Sequence, residues 1–266
     1  MTAFFTGPHP RLFAHRGASG ETPENTVTAF RRAVEIGVPY AELDVRSTRD
    51  GQVVVIHDET LERTTNGAGK VSEHTLAELR RFDAGYRFSP DGGRTFPFRA
   101  TGVTVPTLAE VLRSSPALRF TIEIKQVEPP IEALVVAVVR ECGRAGAVIL
   151  ASEHDSVLVS VRTLAPEIAT GIGAGEGLEL FQRISAARLE EYRPPGQALQ
   201  APLTFDGLPV ITPETVAAAH ALGLEVHVWT IDEPREMARL FDLGVDGIMS
   251  DFPERLLAVL QRRQAG

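Results

Sequence analysis

The chain has 266 residues, 43% of them hydrophobic, a formal charge of −8 at pH 7 and a single cysteine, Cys142. That balance, with no long run of one sign, excludes a surface built for non-specific nucleic-acid binding but leaves room for one local cationic pocket that takes a small phosphate ester. One cysteine excludes an intrachain disulfide framework, and the longest strongly apolar stretch, "ALVVAVV" at 133–139, is too short to span a bilayer.

The start, "MTAFFTGPHPRLFAHRG", has no basic region followed by an apolar one, so we expect a cytoplasmic protein without a signal peptide. The first strand candidate is "RLFAH" (11–15). The turn "GASGETPENT" then leads into the helical pattern "NTVTAFRRAVEIG", with Asn25 or Thr26 placed to cap it. The second strand is "YAELDV" (40–45), and "VVVIH" (53–57) follows after only seven residues, "RSTRDGQ". That spacer is too short for a parallel crossover. Asp50-Gly51 favours a two-residue hairpin turn, which pairs residues whose numbers sum to 101 and sets His57 opposite Asp44.

Residues 84–106, "AGYRFSPDGGRTFPFRATGVTVP", read as a polar, Gly-rich inserted segment. Beyond it "TLAEVLRSS" is helical and "RFTIEIK" (119–125) is the next strand. Then come "AVILAS" (147–152), "IATGIG" (168–173), "ALQAP" (198–202), "EVHVWTI" (225–231) and "DGIMSD" (246–251). Helical patterns such as "PETVAAAHALG" and "PREMARLFDLG" lie between them, and "PERLLAVLQRR" closes the chain. Setting the hairpin arm aside leaves eight βα strands. We therefore expect an α/β protein, one (β/α)8 TIM barrel over residues 1–266 with a small insertion at about 84–106.

Barrel sites form at the C-terminal ends of the strands. This chain puts His15, Arg16, Glu42, Asp44, Glu123, Lys125 and Trp229 there, and the arm returns His57. Glu42 and Asp44 share a strand face, as do Glu123 and Lys125. Charges in an apolar strand are costly unless paired or metal-bound. Three converging carboxylates call for a hard divalent cation, Mg2+ or Ca2+. His15 and His57 then suit an acid–base pair, and Arg16 and Lys125 suit an anion, phosphate above all. His227, deeper on the strand of Trp229, reads as structural.

The segments "AHRGASGETPENTVTAF", "AELDVRSTRDGQVVVIHDETLERTTNGAGKV", "VPTLAEVL", "IEIK" and "VHVWTIDEPREMARLFDLGVDGIMSDFPE" resemble the glycerophosphodiester phosphodiesterase family. Residues 150 to 225 match it more loosely. The resemblance implies a (β/α)8 barrel and metal-dependent hydrolysis of glycerophosphodiesters to glycerol 3-phosphate and an alcohol. It implies His15 and His57 as the general acid–base pair, Glu42, Asp44 and Glu123 on one divalent cation, and Arg16 and Lys125 on the phosphate; Trp229, placed at a strand end by its position, is expected to contact the substrate. The attacking group is water or the substrate's own glycerol 2-hydroxyl, and either histidine can be the base. It also implies that residues 84–106 border the substrate entrance. Two positions depart from the family pattern, Glu153 in "LASEHD" and Asp232 in "WTID", and both bear on which alcohol is accepted. The alternatives are a lysophospholipase D activity on the same site, with Phe88, Phe96 and Phe98 against an acyl chain, or a silent barrel that binds a phosphate ester. No motif histidine or carboxylate is missing, which disfavours the silent barrel.

Overall fold

Alternating apolar strands and amphipathic helices close on themselves in the computed structural model, which describes residues 3–265. The strands are β1 (Arg11–Ala14), β2 (Tyr40–Ser47), β3 (Val53–Val55), β4 (Arg119–Ile124), β5 (Val148–Ala151), β6 (Ala169–Thr170), β7 (Ala198–Pro202), β8 (Thr204–Phe205), β9 (Leu208–Pro209), β10 (Glu225–Trp229) and β11 (Gly247–Ser250). The helices are α1 (Val27–Ile36), α2 (Leu76–Leu79), α3 (Leu108–Ser114), α4 (Glu132–Glu141), α5 (Asp155–Leu164), α6 (Ala174–Ser185), α7 (Pro213–Ala221), α8 (Pro234–Leu243) and α9 (Pro253–Ala265). Parallel pairing runs β6-β5-β4-β2-β1-β11-β10-β7. A parallel bridge between Gly171 and Ala198 joins the two ends of that order. Two backbone hydrogen bonds reinforce it, Ile172 N–H to Ala198 O at 3.1 Å and Gln197 N–H to Thr170 O at 2.8 Å. The result is an eight-stranded (β/α) barrel. Among the described residues no helix is long and apolar enough to cross a membrane.

Local chemistry sets the element ends. Thr26 caps α1 by accepting from the Ala29 N–H at 3.2 Å, and Gly37 at φ 91° ends it. Thr107 and Glu110 form a capping box at the start of α3. The main core lies between the barrel wall and the helices, with Phe30 edge-on to Phe120 at 5.6 Å. The barrel floor is a second cluster of Phe4, Phe13, Tyr40, Ile149, Ala169, Ala198 and Met249. Arg11 is buried beneath it and bonds both Glu225 oxygens at 2.5 Å as well as the Tyr40 hydroxyl. His227 is buried between Gln200 and Glu225, the structural role expected of it.

The arm is antiparallel, but its register differs from the sequence expectation. Val45 stands opposite Val55, Arg46 opposite Val54 and Ser47 opposite Val53. The Ile56 N–H donates to the Asp44 carbonyl at 2.9 Å, so Ile56 and not His57 faces Asp44. The cause is a three-residue loop, Arg49-Asp50-Gly51, with Gly51 at φ 74°. Such loops end in a left-handed residue. Thr48 fixes the extra residue: its hydroxyl donates to Asp50 Oδ1 at 2.6 Å and accepts from the Gln52 N–H at 2.9 Å. β3 ends at Val55, and His57 lies beyond it.

Residues 84–106 contain no helix or strand. They are held at their ends, where Ala84 and Val105 join Val54, Ile56, Leu61, Val71 and Leu79 in a small core outside the barrel. The Ala84 N–H donates to the Val103 carbonyl at 2.9 Å.

Candidate active site

The inward face of β2 carries Glu42 and Asp44, and the register of β4 sets Glu123 beside Asp44. The three carboxylates each offer an oxygen within 4.8 Å of the others. Glu42 and Asp44 are buried, at 3% and 1% exposure. Burial, and then the neighbouring charge of Asp44, push the Glu42 carboxyl up to about 8. A site that protonates one of its own carboxylates near neutrality lacks positive charge. Three oxygen donors at this spacing fit a hard divalent cation.

Two cations flank the cluster. Lys125 Nζ lies 2.8 Å from Glu123 Oε1 and 3.6 Å from Asp44 Oδ1. On the other side Arg16 Nε lies 3.2 Å from Asp44 Oδ2, a charge contact without hydrogen-bond alignment, so this buried N–H has no acceptor. The Arg16 backbone N–H donates to Glu42 Oε2 at 3.1 Å. Arg16 sits at φ 54° and Asn25 at φ 57°, and these two left-handed residues shape the turn after β1. Asn25 does not cap α1. Its Nδ2 donates to Asp44 Oδ2 at 2.8 Å and its Oδ1 accepts from the Asp44 N–H at 3.3 Å, which fixes that carboxylate.

Each histidine has a carboxylate of its own. His15 Nδ1–H donates to Asp251 Oδ1 at 2.7 Å, which turns Nε2 toward Glu42 Oε2, 3.8 Å away. Burial alone would lower the His15 pKa, but the Asp251 hydrogen bond and the Glu42 charge outweigh it and raise the pKa above its ordinary value. His57 Nδ1–H donates to Asp58 Oδ1 at 2.6 Å. From Asp58 a row of alternating charges runs back to the cluster. Arg63 bridges Asp58 and Glu24, Glu24 accepts from Arg16 at 3.1 Å, and Arg16 lies against Asp44. His57 is thus linked to the cluster through this row and through its carbonyl, which accepts from Arg46 Nε at 2.8 Å, and not through pairing with Asp44.

Comparison with known proteins decides what this cluster belongs to. The profile of the glycerophosphoryl diester phosphodiesterase family matches residues 15–255. The chain belongs to that family. A glycerophosphodiester phosphodiesterase of Caldanaerobacter subterraneus subsp. tengcongensis is 36% identical over 260 residues, covering 94% of this chain and 98% of that protein. A solved structure from Silicibacter pomeroyi has a TM-score of 0.82 at 30% identity and covers 99% of both chains. An Oleispira antarctica phosphodiesterase, solved in complex with the product sn-glycerol-3-phosphate, has a TM-score of 0.77 at 27% identity and covers 98% of this chain and 100% of that one. The protein is therefore a phosphoric diester hydrolase of the glycerophosphoryl diester phosphodiesterase family.

Within that family frame the remaining residues find places. Trp229, at the end of β10, is 41% exposed and stands at the rim instead of in the core. Phe88 and Phe98 pack edge-on at 5.4 Å, and Arg99 lies over Phe96 at 3.4 Å, so the half-buried rings of the insertion are engaged with one another and with Arg99. Asp232 Oδ1 accepts from the Ser250 hydroxyl and the Asp251 N–H, both at 2.9 Å. The departure at 232 thus acts on the residue that holds His15. Asp251 holds the candidate residue His15 and Asn25 holds Asp44, contacts that the sequence pattern does not show. Asp251 was detectable as the carboxylate at the C-terminal end of a barrel strand, the criterion that found the others.

Proposed function

We propose that the protein hydrolyses glycerophosphodiesters to glycerol 3-phosphate and an alcohol, with His15 and His57 as the acid–base pair. The observation that carries this reading is a carboxylate cluster between two cations, with the aspartate-bound His15 against it and the aspartate-bound His57 linked to it through Arg63, Glu24 and Arg16. Glu42, Asp44 and Glu123 would hold one divalent cation, Mg2+ or Ca2+. Bound there, it supplies Lewis-acid stabilisation of charge on a non-bridging phosphate oxygen.

The protein's own groups do the rest. Arg16 and Lys125 hold the phosphodiester from opposite sides, and the unpartnered Arg16 N–H is a donor for a phosphate oxygen. One histidine Nε2 takes the proton of the attacking oxygen. The other gives its proton to the leaving alkoxide as the P–O bond breaks. Each Nδ1–H bond to aspartate keeps Nε2 as the atom that exchanges the proton. Trp229 lines the rim where the organic part of the substrate lies. The test is hydrolysis of glycerophosphocholine, glycerophosphoethanolamine and a lysophospholipid, with and without EDTA. Release of glycerol 3-phosphate from the first two, abolished by EDTA, is expected. Turnover of the lysophospholipid alone would move the assignment to a lysophospholipase D, and no turnover of any would reject it.

A further inference from the structure

The inward row of β2 does not stop at Asp44. Arg46 is the next residue on that face, one step past the last β2–β4 pair of Val45 and Ile124, and it shares a cavity wall with Lys125. Arg46 is half-buried, and among the described residues it forms no ion pair; its Nε is used on the His57 carbonyl. It lines a cavity of about 290 Å³ together with Glu59, Ser72, Lys125 and Glu128. Lys125 is bound to Glu123 and Glu59 to Lys70. Glu128 is exposed and makes no ion pair among the described residues. The cavity therefore presents one cation without a contact partner, Arg46, and one such carboxylate, Glu128, and Lys125 is the wall it shares with the carboxylate cluster.

Arg46 feels the carboxylates of Glu59, Asp44, Asp58 and Glu123 only at a distance, and burial of a guanidinium that no carboxylate touches is costly, so an anion in direct contact would be favoured there. Glycerol carries no charge, so the glycerol arm of a diester cannot answer these two groups. The leaving alcohol can. We propose that this cavity is the leaving-group subsite and that it selects a small zwitterionic alcohol of the serine type, its carboxylate on Arg46 and its ammonium toward Glu128. This rests on the phosphodiesterase reading above and adds the class of head group. The polar walls disfavour an acyl chain at this place. The alternative role for Arg46, holding the phosphate itself, would affect all diesters alike.

The experiment compares kcat/KM for glycerophosphoserine, glycerophosphoethanolamine and glycerophosphoglycerol in the wild type and in Arg46→Met and Glu128→Gln. We expect the wild type to favour them in that order. Arg46→Met should lower the serine-to-ethanolamine ratio about tenfold, the scale of one lost charge-assisted hydrogen bond. Glu128→Gln, on an exposed loop where folding is not at stake, should lower the ethanolamine-to-glycerol ratio. Equal kcat/KM for the three diesters in the wild type, or ratios unmoved by both variants, would overturn the subsite while leaving the phosphodiesterase reading intact. No hydrolysis of any of the three by the wild type would overturn both.

Discussion

At the scale of single residues, the chemistry rests on pairs that tie distant parts of the chain together. Removing His15 or His57 by substitution to Ala should lower kcat about 10²-fold or more, the scale of a lost general acid or base. Asp251→Asn keeps the shape but gives His15 Nδ1 a weaker partner, so kcat should fall about 10- to 100-fold with KM little changed. A variant with raised KM and wild-type kcat would place Asp251 outside the proton-transfer apparatus. Glu42 makes a second prediction. Its carboxyl, ordinarily at 4.5, sits at about 8 in the folded protein because of burial and Asp44. The cation-free folded protein then holds a proton that the unfolded chain releases. This contribution to stability is full below 4.5 and is lost as pH rises through about 8. The Tm of chelated wild type should fall over that range more steeply than that of chelated Glu42→Gln. Parallel pH profiles would contradict the shift. His15, Arg16, Glu42, Asp44, Glu123 and Lys125 were legible because each puts a charge in or just after a strand where apolar residues belong. Asn25 and Asp251 act through partners 19 and 236 residues away. Asp251 follows a strand end as the others do, but no local pattern in the chain shows which partner it or Asn25 meets.

At the scale of elements, the hairpin arm and the insertion pack together in a small core outside the barrel. The arm was legible from spacer length alone, because no helix fits between β2 and β3. Its register was not, because the Thr48 hydroxyl captures both Asp50 and the Gln52 N–H and lengthens the loop by one residue. Asp-Gly signals a turn but does not count its residues. The insertion was legible as irregular and polar, while its apolar anchors, Ala84 and Val105, were not. Excising residues 88–98 and keeping both anchors should shift relative kcat/KM among glycerophosphodiesters that differ in the alcohol. Far-UV circular dichroism should be unchanged. Uniform loss for all substrates, or loss of the fold, would show that the segment supports the barrel itself.

At the scale of the whole molecule, the barrel closes from a plain alternation of strand and helix, and the count of eight follows once the arm is set aside. α5 and α6 were the least legible, since "DSVLVSVRTL" and "AGEGLELFQRIS" lie where the family resemblance is loosest. The floor of the barrel holds the ion pair of Arg11 and Glu225. Burial works against the charged Glu225, but the hydrogen bonds from Arg11 and His227 hold its carboxyl down at about 2. Its stabilising contribution is present above the ordinary 4.5 and is lost as pH falls toward 2. Glu225→Gln leaves Arg11 buried without its counter-charge and should cost about 3–5 kcal/mol at pH 7 by denaturant unfolding. The gap to wild type should close as the pH is lowered through that range; a gap independent of pH would mean the pair does not act as an ion pair.

The claim that joins these scales is that the cluster of Glu42, Asp44 and Glu123 works as a cation-dependent phosphodiesterase centre. Following glycerophosphocholine by phosphorus NMR with chelator-treated protein, before and after Mg2+ or Ca2+ is restored, tests it most directly. The spectrum should not change before addition and should show the resonance of glycerol 3-phosphate after it. Full turnover without the cation, or appearance of phosphocholine in place of glycerol 3-phosphate, would contradict it.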